Sequence, residues 1–361
     1  MTLGLPGPVL IIGSGLIGGS IGLALSAAGE HVLVSDSSPG TERLAHEMGV
    51  GEPFDGTEEE PALVIVAAPP DVAGALVAQA LARFPRAVVT DVASVKQSVL
   101  DDVAAHAVPD HLPRYAGAHP MAGREVAGVI GARGDLFRAR TFVVVPHESS
   151  EERAIDAVAR LGAALGSTVV QMGPQEHDLA VAHVSHLPQM VSSLLAASLL
   201  SAPEDALDLA GQGLRDTTRI AQSDPRLWVE ILGGNAATLA PLVSRLRERL
   251  ADLERALDGE PDRLPLGRLI ADGNAGTARI PGKHGGSREK FASVTILVPD
   301  APGELGRLLS DMGAIDVNLE DLRLEHGSGS RVGLAHIAVA HDTLDRLHER
   351  LPARGWTIVE G

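Results

Sequence analysis

Three glycines at a fixed spacing form the first group of residues that could do chemistry. Gly13, Gly15 and Gly18 stand in the run VLIIGSGLIG, directly after a predicted strand and at the start of a predicted helix. In this pattern the first glycine permits a tight turn, the second a close approach of a pyrophosphate, and the third close packing of the helix on the strand. Because a helix N-terminus also offers free N–H groups, the run is typical of a dinucleotide-binding loop.

An acidic residue indicates which dinucleotide the loop binds. Asp36 ends the next predicted strand, where a carboxylate can bind the ribose hydroxyls and repel a 2′-phosphate. Residues 37–39 contain no arginine that would hold such a phosphate. We therefore predict NAD rather than NADP as the cofactor. The residues predicted to contact it are Gly13, Gly15, Leu16, Ile17, Gly18, Asp36, Ala68 and Pro69.

Four further side chains are candidates for proton transfer and anion binding. Ser94, in the run DVASVK, follows a predicted strand, at the edge where open α/β sheets bind ligands. His119, in GAHPMAG, is predicted to lie in a loop, and a neutral imidazole can accept a proton near pH 7. The guanidinium of Arg219 can bind a carboxylate with two hydrogen bonds, and Arg215 is predicted to share its helix face.

The elements that must position these residues follow from the pattern of apolar residues. Up to residue 174 short apolar strands alternate with helices, which predicts an α/β, Rossmann-type doubly wound domain with a mostly parallel sheet. Residues 175–257 predict only helices, with one helix over 202–219, and form a predicted dimerisation and substrate domain. Residues 258–290 are rich in Gly, Pro and charge and predict a linker. Residues 291–361 predict a small α+β domain of order βαββαβ, which is ferredoxin-like.

Composition excludes several classes of function. The formal charge of -17 and the aromatic content of 2% disfavour nucleic-acid binding and anionic membranes. The absence of cysteine excludes disulfides, cysteine-ligated zinc and iron–sulfur clusters. His177, His183 and His186 suggest a metal site, and the last two stand three residues apart. They lack a zinc-binding HExxH pattern, so no metal is predicted. Neither a signal peptide nor a membrane span is predicted, and the expected location is the cytoplasm.

At these motifs the chain resembles the prephenate/arogenate dehydrogenase family. The resemblance covers roughly residues 8–255 and is carried by the runs GSGLIGGS, DVASVK, GAHPMAG, AHVSHLP and GLRDTTRIA, followed by SDPRLW. The last seventy residues resemble an ACT domain, a regulatory module that binds small molecules, through the runs DAPGELG and VNL. The first resemblance is specific because the runs occur in the family's order and at its spacing.

The resemblance implies NAD-dependent oxidative decarboxylation of prephenate to 4-hydroxyphenylpyruvate, a step of tyrosine biosynthesis. His119 would be the base that accepts the proton of the 4-hydroxyl, and Ser94 would hold the imidazole or that hydroxyl in line. Cations are needed for the two carboxylates of the substrate. The residues expected to bind the substrate are Arg219, Arg215, Asp216, Arg124, Glu125 and His186.

Other interpretations stay open. Arg124 favours the dianion prephenate, whereas Glu125 would attract the amine of arogenate. Another β-hydroxyacid or imine dehydrogenase would share the layout of the domains. A non-catalytic regulatory protein that binds NAD and an amino acid would retain both ligand sites without turnover.

The resemblance also implies regulation and assembly. Tyrosine is the expected effector of the ACT-like domain, near Gly303, Glu304 and Asn318, with a ligand-free dimerisation module as the alternative. The predicted helix around residues 178–200 is almost uncharged and must bury its surface, so a homodimer is expected.

Overall fold

The computed structural model describes residues 4, 7–56, 60–124, 126, 128–259, 262–280, 291–326 and 332–359. The chain forms two compact units, residues 1–246 and residues 247–361. Each unit has a hydrophobic core of its own.

A parallel sheet forms the first half of unit 1, and its strand order is β3-β2-β1-β4-β5. Alternate residues of β1 face two separate cores, with Ile11 in one and Leu10 in the other. Both faces of the sheet are therefore covered, as the predicted doubly wound arrangement requires. Its elements are β1 (Val9–Ile12), α1 (Leu16–Ala27), β2 (Val32–Ser35), α2 (Pro39–Glu47), β3 (Glu52–Pro53), β4 (Leu63–Val66), α3 (Pro70–Arg83) and β5 (Val88–Asp91).

A second sheet of three strands, in the order β6-β7-β8, follows. Its elements are α4 (Gln97–His106), β6 (Gly117–Pro120), β7 (Thr141–Val145), α5 (Glu152–Ala164) and β8 (Thr168–Gln171). Strand β6 runs antiparallel to β7 and pairs His119 with Val143. The prediction of a loop around His119 is therefore wrong. The short run Gly-Ala-His-Pro has little intrinsic strand preference. Its pairing with β7 stabilises the extended conformation instead.

Helices make up the rest of unit 1. A helix α6 (Pro174–Val181) continues through a π-helical turn (Ala182–His186) into α7 (Leu187–Ser198). The single helix predicted over 202–219 is wrong, because the chain forms α8 (Glu204–Leu207) and α9 (Gln212–Thr218), and Arg219 opens a 3₁₀ turn. Then follow α10 (Pro225–Gly234) and α11 (Ala236–Leu257), whose residues from 247 onwards belong to unit 2. No single helix of the described residues is long and apolar enough to span a membrane, although α10 and α11, bent by 94°, pass that test together.

Unit 2 contains a four-stranded antiparallel sheet in the order β10-β11-β9-β12. Its element order is the predicted βαββαβ. A helix α12 lies in the segment 258–290 that the sequence predicts as a linker, and its side chains are exposed or half-buried. The elements are α12 (Arg263–Ala278), β9 (Phe291–Pro299), α13 (Glu304–Ala314), β10 (Asp321–His326), β11 (Val332–Ala340), α14 (Leu344–Arg350) and β12 (Thr357–Val359).

Candidate active site

The glycine loop between β1 and α1 has the geometry of a dinucleotide site. Gly13 has a φ of +95°, and a Cβ there would lie 2.4 Å from the carbonyl oxygen of Ala67. A Cβ on Gly18 would lie 1.9 Å from the carbonyl oxygen of Gly13, whereas Gly15 has nothing within 4 Å of its Cβ position. Two glycines thus permit close packing and the third leaves the backbone open. No side chain caps the N-terminus of α1, which leaves its N–H groups for an anion.

Asp36 is held beside this loop at the carboxyl end of β2. One of its oxygens accepts hydrogen bonds from the backbone N–H of Ser14 at 2.8 Å and from the Ser14 hydroxyl at 2.9 Å. The other oxygen accepts from the N–H of Ser38 at 2.9 Å. The carboxylate is therefore fixed in place next to the glycine loop, where a ribose diol would lie, and the residues fit NAD. The other predicted cofactor contacts lie around the same loop: Leu16 and Ile17 open α1, and Ala68 and Pro69 lie between β4 and α3.

His119 belongs to a chain of buried hydrogen bonds that links three elements. Its Nδ1 lies 2.8 Å from Nε2 of His177 in α6. Nδ1 of His177 lies 2.8 Å from Oδ1 of Asp178. The Asp178 carboxylate also accepts the backbone N–H of Lys96 at 2.8 Å and that of Gln97 at 2.9 Å, at the N-terminus of α4. The imidazole of His119 is therefore held by α6, which is itself anchored to α4.

A buried cation lies next to this chain. The Lys96 side chain is 2% exposed, forms an ion pair with Asp91, and donates a hydrogen bond of 2.7 Å to the carbonyl of Ala118. Asp91 also accepts from the Tyr115 hydroxyl at 2.7 Å. Burial lowers the pKa of Lys96, and the Asp91 carboxylate offsets part of that effect. Lys96 thus ties the backbone of β6, immediately before His119, to the end of β5.

The site keeps its histidines neutral. Burial lowers the pKa of His119 well below its ordinary value, and the nearby His177, Lys96 and His186 lower it further. Burial also lowers the pKa of His177, and it lowers that of His186 to about 4. His186 lies in the π-helical turn, and Asn235 Nδ2 lies 3.1 Å from its Nδ1. Since an uncharged imidazole has a free lone pair, His119 is prepared to accept a proton at pH 7.

Two other predicted site residues, Ser94 and Arg124, lie in loops. Ser94 is half-buried between β5 and α4, and no hydrogen bond joins its hydroxyl to His119 in the described part of the chain. Arg124 is exposed and donates a hydrogen bond of 2.8 Å to the carbonyl of Gly131. Glu125 lies outside the described residues. The roles of all three stay predictions.

The predicted carboxylate-binding residues lie on the surface of the chain. Arg215, Asp216 and Arg219 are all exposed, and Asp216 accepts a hydrogen bond of 2.7 Å from Gln212. Helix α9 ends at Thr218, and Arg219 begins a 3₁₀ turn. Arg215 and Arg219 therefore do not lie on the single regular helix that the sequence predicts.

The predicted effector residues lie in unit 2. Gly303 has a φ of +89° directly before α13, and Glu304 forms an ion pair of 2.6 Å with Arg307. Asn318 donates a hydrogen bond of 3.0 Å to Glu320. These contacts describe the geometry of the loops, and the role of the three residues in binding an effector stays a prediction.

Sequence reasoning missed most of the buried network. It assigned no role to Asp91, Lys96, Tyr115, Asp178 or Asn235, and treated His177 only as a doubtful metal ligand. Two signals were present: Asp91 and Lys96 flank Ser94 in one motif, and His177 and Asp178 are adjacent in the chain.

A glycine loop with an aspartate held beside it, followed by helices that place histidines beside the sheet, is typical of a dinucleotide-dependent oxidoreductase. The family model for the nucleotide-binding domain of prephenate dehydrogenase matches residues 21–171, and that for its dimerization domain matches residues 173–265. The chain therefore belongs to the prephenate dehydrogenase family.

Relatives and solved structures agree with this assignment. A probable prephenate dehydrogenase of Streptomyces niveus is 33% identical over 96% of this chain and 98% of its own length. Prephenate dehydrogenase of Aquifex aeolicus, solved with hydroxyphenyl propionate and NAD⁺, has a TM-score of 0.66 at 27% identity, covering 75% of this chain and 97% of that one. Arogenate dehydrogenase of Synechocystis has a TM-score of 0.62 at 26% identity, covering 75% of this chain and 98% of that one.

Proposed function

We propose that this protein is an NAD-dependent prephenate dehydrogenase that converts prephenate to 4-hydroxyphenylpyruvate in tyrosine biosynthesis. The observation that carries the proposal is the buried, neutral His119, which lies in a chain of the prephenate dehydrogenase family. The glycine loop and Asp36 supply a fitting NAD site, and the Aquifex relative binds NAD⁺.

The proposed reaction assigns a task to each group. His119 accepts the proton of the 4-hydroxyl at its Nε2, because its Nδ1 is occupied by His177. NAD, when bound at the glycine loop and Asp36, would supply the acceptor for the hydride that leaves C4 as the carbon–oxygen bond becomes a carbonyl. Release of the ring carboxylate as carbon dioxide sends its bonding electron pair through the ring to the carbonyl oxygen. That oxygen takes a proton back, so the ring becomes aromatic and carries the hydroxyl of the product. Ser94 would keep the hydroxyl in line with the imidazole.

The arginines would bind the carboxylates of the substrate. Arg219, supported by Arg215 and Asp216, is the proposed clamp, and Arg124 is a further cation. His186 would line the same site. Arogenate is the second candidate substrate, because the Synechocystis enzyme named for it is similar in fold and Glu125 would suit its amine.

Assembly and regulation form part of the proposal. A homodimer is supported by the matched dimerization domain and by apolar side chains exposed along the π turn and α7, namely Val184, Val191, Leu194 and Leu195. The part of unit 2 from β9 to β12, whose element order is βαββαβ, is proposed as an ACT domain with tyrosine as its effector near Gly303, Glu304 and Asn318. We propose the domain limits 1–174, 175–257 and 291–361, and a cytoplasmic location.

The decisive experiment is NADH formation by the purified protein, with prephenate and arogenate in parallel and NADP beside NAD. We expect turnover of prephenate with NAD. In His119→Asn, kcat/KM should fall by about 10²–10⁴-fold, the usual contribution of a general base, while NAD binding measured by fluorescence stays unchanged. Turnover of arogenate alone would transfer the proposal to that substrate. Folded protein that binds NAD and oxidises neither would refute an enzyme and support the regulatory alternative.

A further inference from the structure

We propose that His177 is a positioning residue, which with Asp178 fixes the tautomer of His119 so that Nε2 carries the lone pair. The inference rests on the proposed function of His119 as the base. His177 touches neither the substrate nor the cofactor in this proposal and acts only through His119.

The donors and acceptors of the chain can be assigned from its anchored end. Asp178 accepts two backbone N–H groups at the start of α4, as a carboxylate capping that helix would. It therefore accepts from His177, so the proton of a neutral His177 is on Nδ1. Nε2 of His177 is then an acceptor, and the Nδ1 of His119 at 2.8 Å must be the donor. The lone pair of His119 is left on Nε2.

The surroundings exclude the opposite tautomer of His119. With its proton on Nε2, His119 would direct an Nδ1 lone pair at the Nε2 lone pair of His177. Both rings are buried, with His177 completely inaccessible and His119 8% exposed, so water cannot separate the two acceptors. Only the tautomer with the proton on Nδ1 satisfies every group of the chain.

The arrangement also serves the proton transfer itself. When His119 takes the hydroxyl proton on Nε2 it becomes a cation, and its Nδ1–H bond to His177 becomes charge-assisted. The Asp178 carboxylate, one hydrogen bond further on, stabilises that cation through His177. The ammonium group of Lys96 opposes this charge, which makes the acceptor on His177 more important.

Two substitutions separate the two hydrogen bonds of His177. His177→Gln can place an amide oxygen near the position of Nε2, which retains an acceptor for His119 and gives up the bond to Asp178. His177→Asn can place an amide N–H near the position of Nδ1, which retains the bond to Asp178 and gives up the acceptor. The same pair of changes at the exposed His31, at the opposite end of the sheet from the glycine loop, is the matched control.

Two measurements test the proposal. ¹⁵N spectra of histidine-labelled enzyme without NAD, with His119 assigned by comparison with His119→Asn, should show the His119 proton on Nδ1 in the wild type and the Gln variant. The Asn variant should show a mixture of tautomers. With prephenate, kcat should fall by about 10–100-fold in His177→Asn and by less in His177→Gln, with KM little changed, because orientation of the base matters in the transition state. The His31 variants should match the wild type.

The contrary outcomes are distinct. A wild-type spectrum with the proton on Nε2 of His119 overturns the proposal without need of any variant, even where a variant fails to fold. A folded Asn variant with wild-type kcat overturns it as well, as does a Gln variant that loses as much activity as the Asn variant. Wild-type enzyme that shows the Nδ1 proton but does not oxidise prephenate refutes the proposed function and leaves the tautomer assignment intact.

Discussion

The two halves of the candidate site are built in opposite ways. The histidine cluster, which comprises Asp91, Lys96, His119, His177 and Asp178, is buried, and its members bond one another. The arginine segment, residues 215–219, is largely exposed. The base is thus organised within one chain before any ligand arrives. The side chains of the proposed clamp lie at the surface of the chain.

Physical chemistry explains the contrast. A buried charge needs partners in fixed positions, because desolvation otherwise outweighs any attraction. An exposed guanidinium stays in contact with water, and an ion pair at the surface contributes little to stability. Breaking the ion pair of the histidine cluster should therefore lower stability, whereas substitutions in the arginine segment should change substrate affinity.

The largest effect is expected where the buried ion pair is broken. Lys96→Met leaves the Asp91 carboxylate buried without its cation, which should lower the free energy of unfolding by about 3–5 kcal/mol. The urea-unfolding midpoint at pH 7 measures this loss. The control is Arg133→Met, which removes an exposed ion pair with Asp135 and should leave the midpoint unchanged. Equal midpoints for the two variants would contradict the contrast.

Arg219→Ala should show the reverse pattern. Losing hydrogen bonds from a cation to a carboxylate costs about 1.5–3 kcal/mol, so KM for prephenate should rise about 10–100-fold while the urea midpoint stays at the wild-type value. Arg226→Ala, at an exposed position in α10, is the matched control and should change neither quantity. A lower midpoint with unchanged KM would show that Arg219 is structural.

A smaller effect should appear in the dependence of stability on pH. Burial lowers the pKa of His186 to about 4 from an ordinary value of 6.5, so between these pH values the unfolded chain binds a proton that the folded chain excludes. The free energy of unfolding should therefore fall as the pH falls through this window, by at most about 1.4 kcal/mol per pH unit for this group. Urea midpoints from pH 7 downwards should decline less steeply in His186→Gln. The same change at the exposed His46 should not alter the slope, and equal slopes for all three proteins would refute the assignment.

Much of the fold follows from local patterns. Strands β1 and β7 agree with the predicted alternation of short apolar strands and helices up to residue 174, since each is an apolar run long enough to cross a covered sheet. The βαββαβ order of unit 2 also follows from alternation and turn residues. The errors fall where one element depends on another: β6 exists because it pairs with β7, and Gly211, which precedes α9, interrupts the helix predicted over 202–219.

The sequence by itself determined the glycine loop with Asp36, the identity of His119 as a candidate base and the family, because these depend on residue types at short spacing. Only the tertiary structure decided what holds His119. His177 lies 58 residues from His119 in the sequence. Asp178 lies 82 residues from Lys96, whose backbone N–H it accepts at the start of α4. No local pattern encodes such pairings, because they arise when packing of helices against sheets buries polar groups and forces each to find a partner.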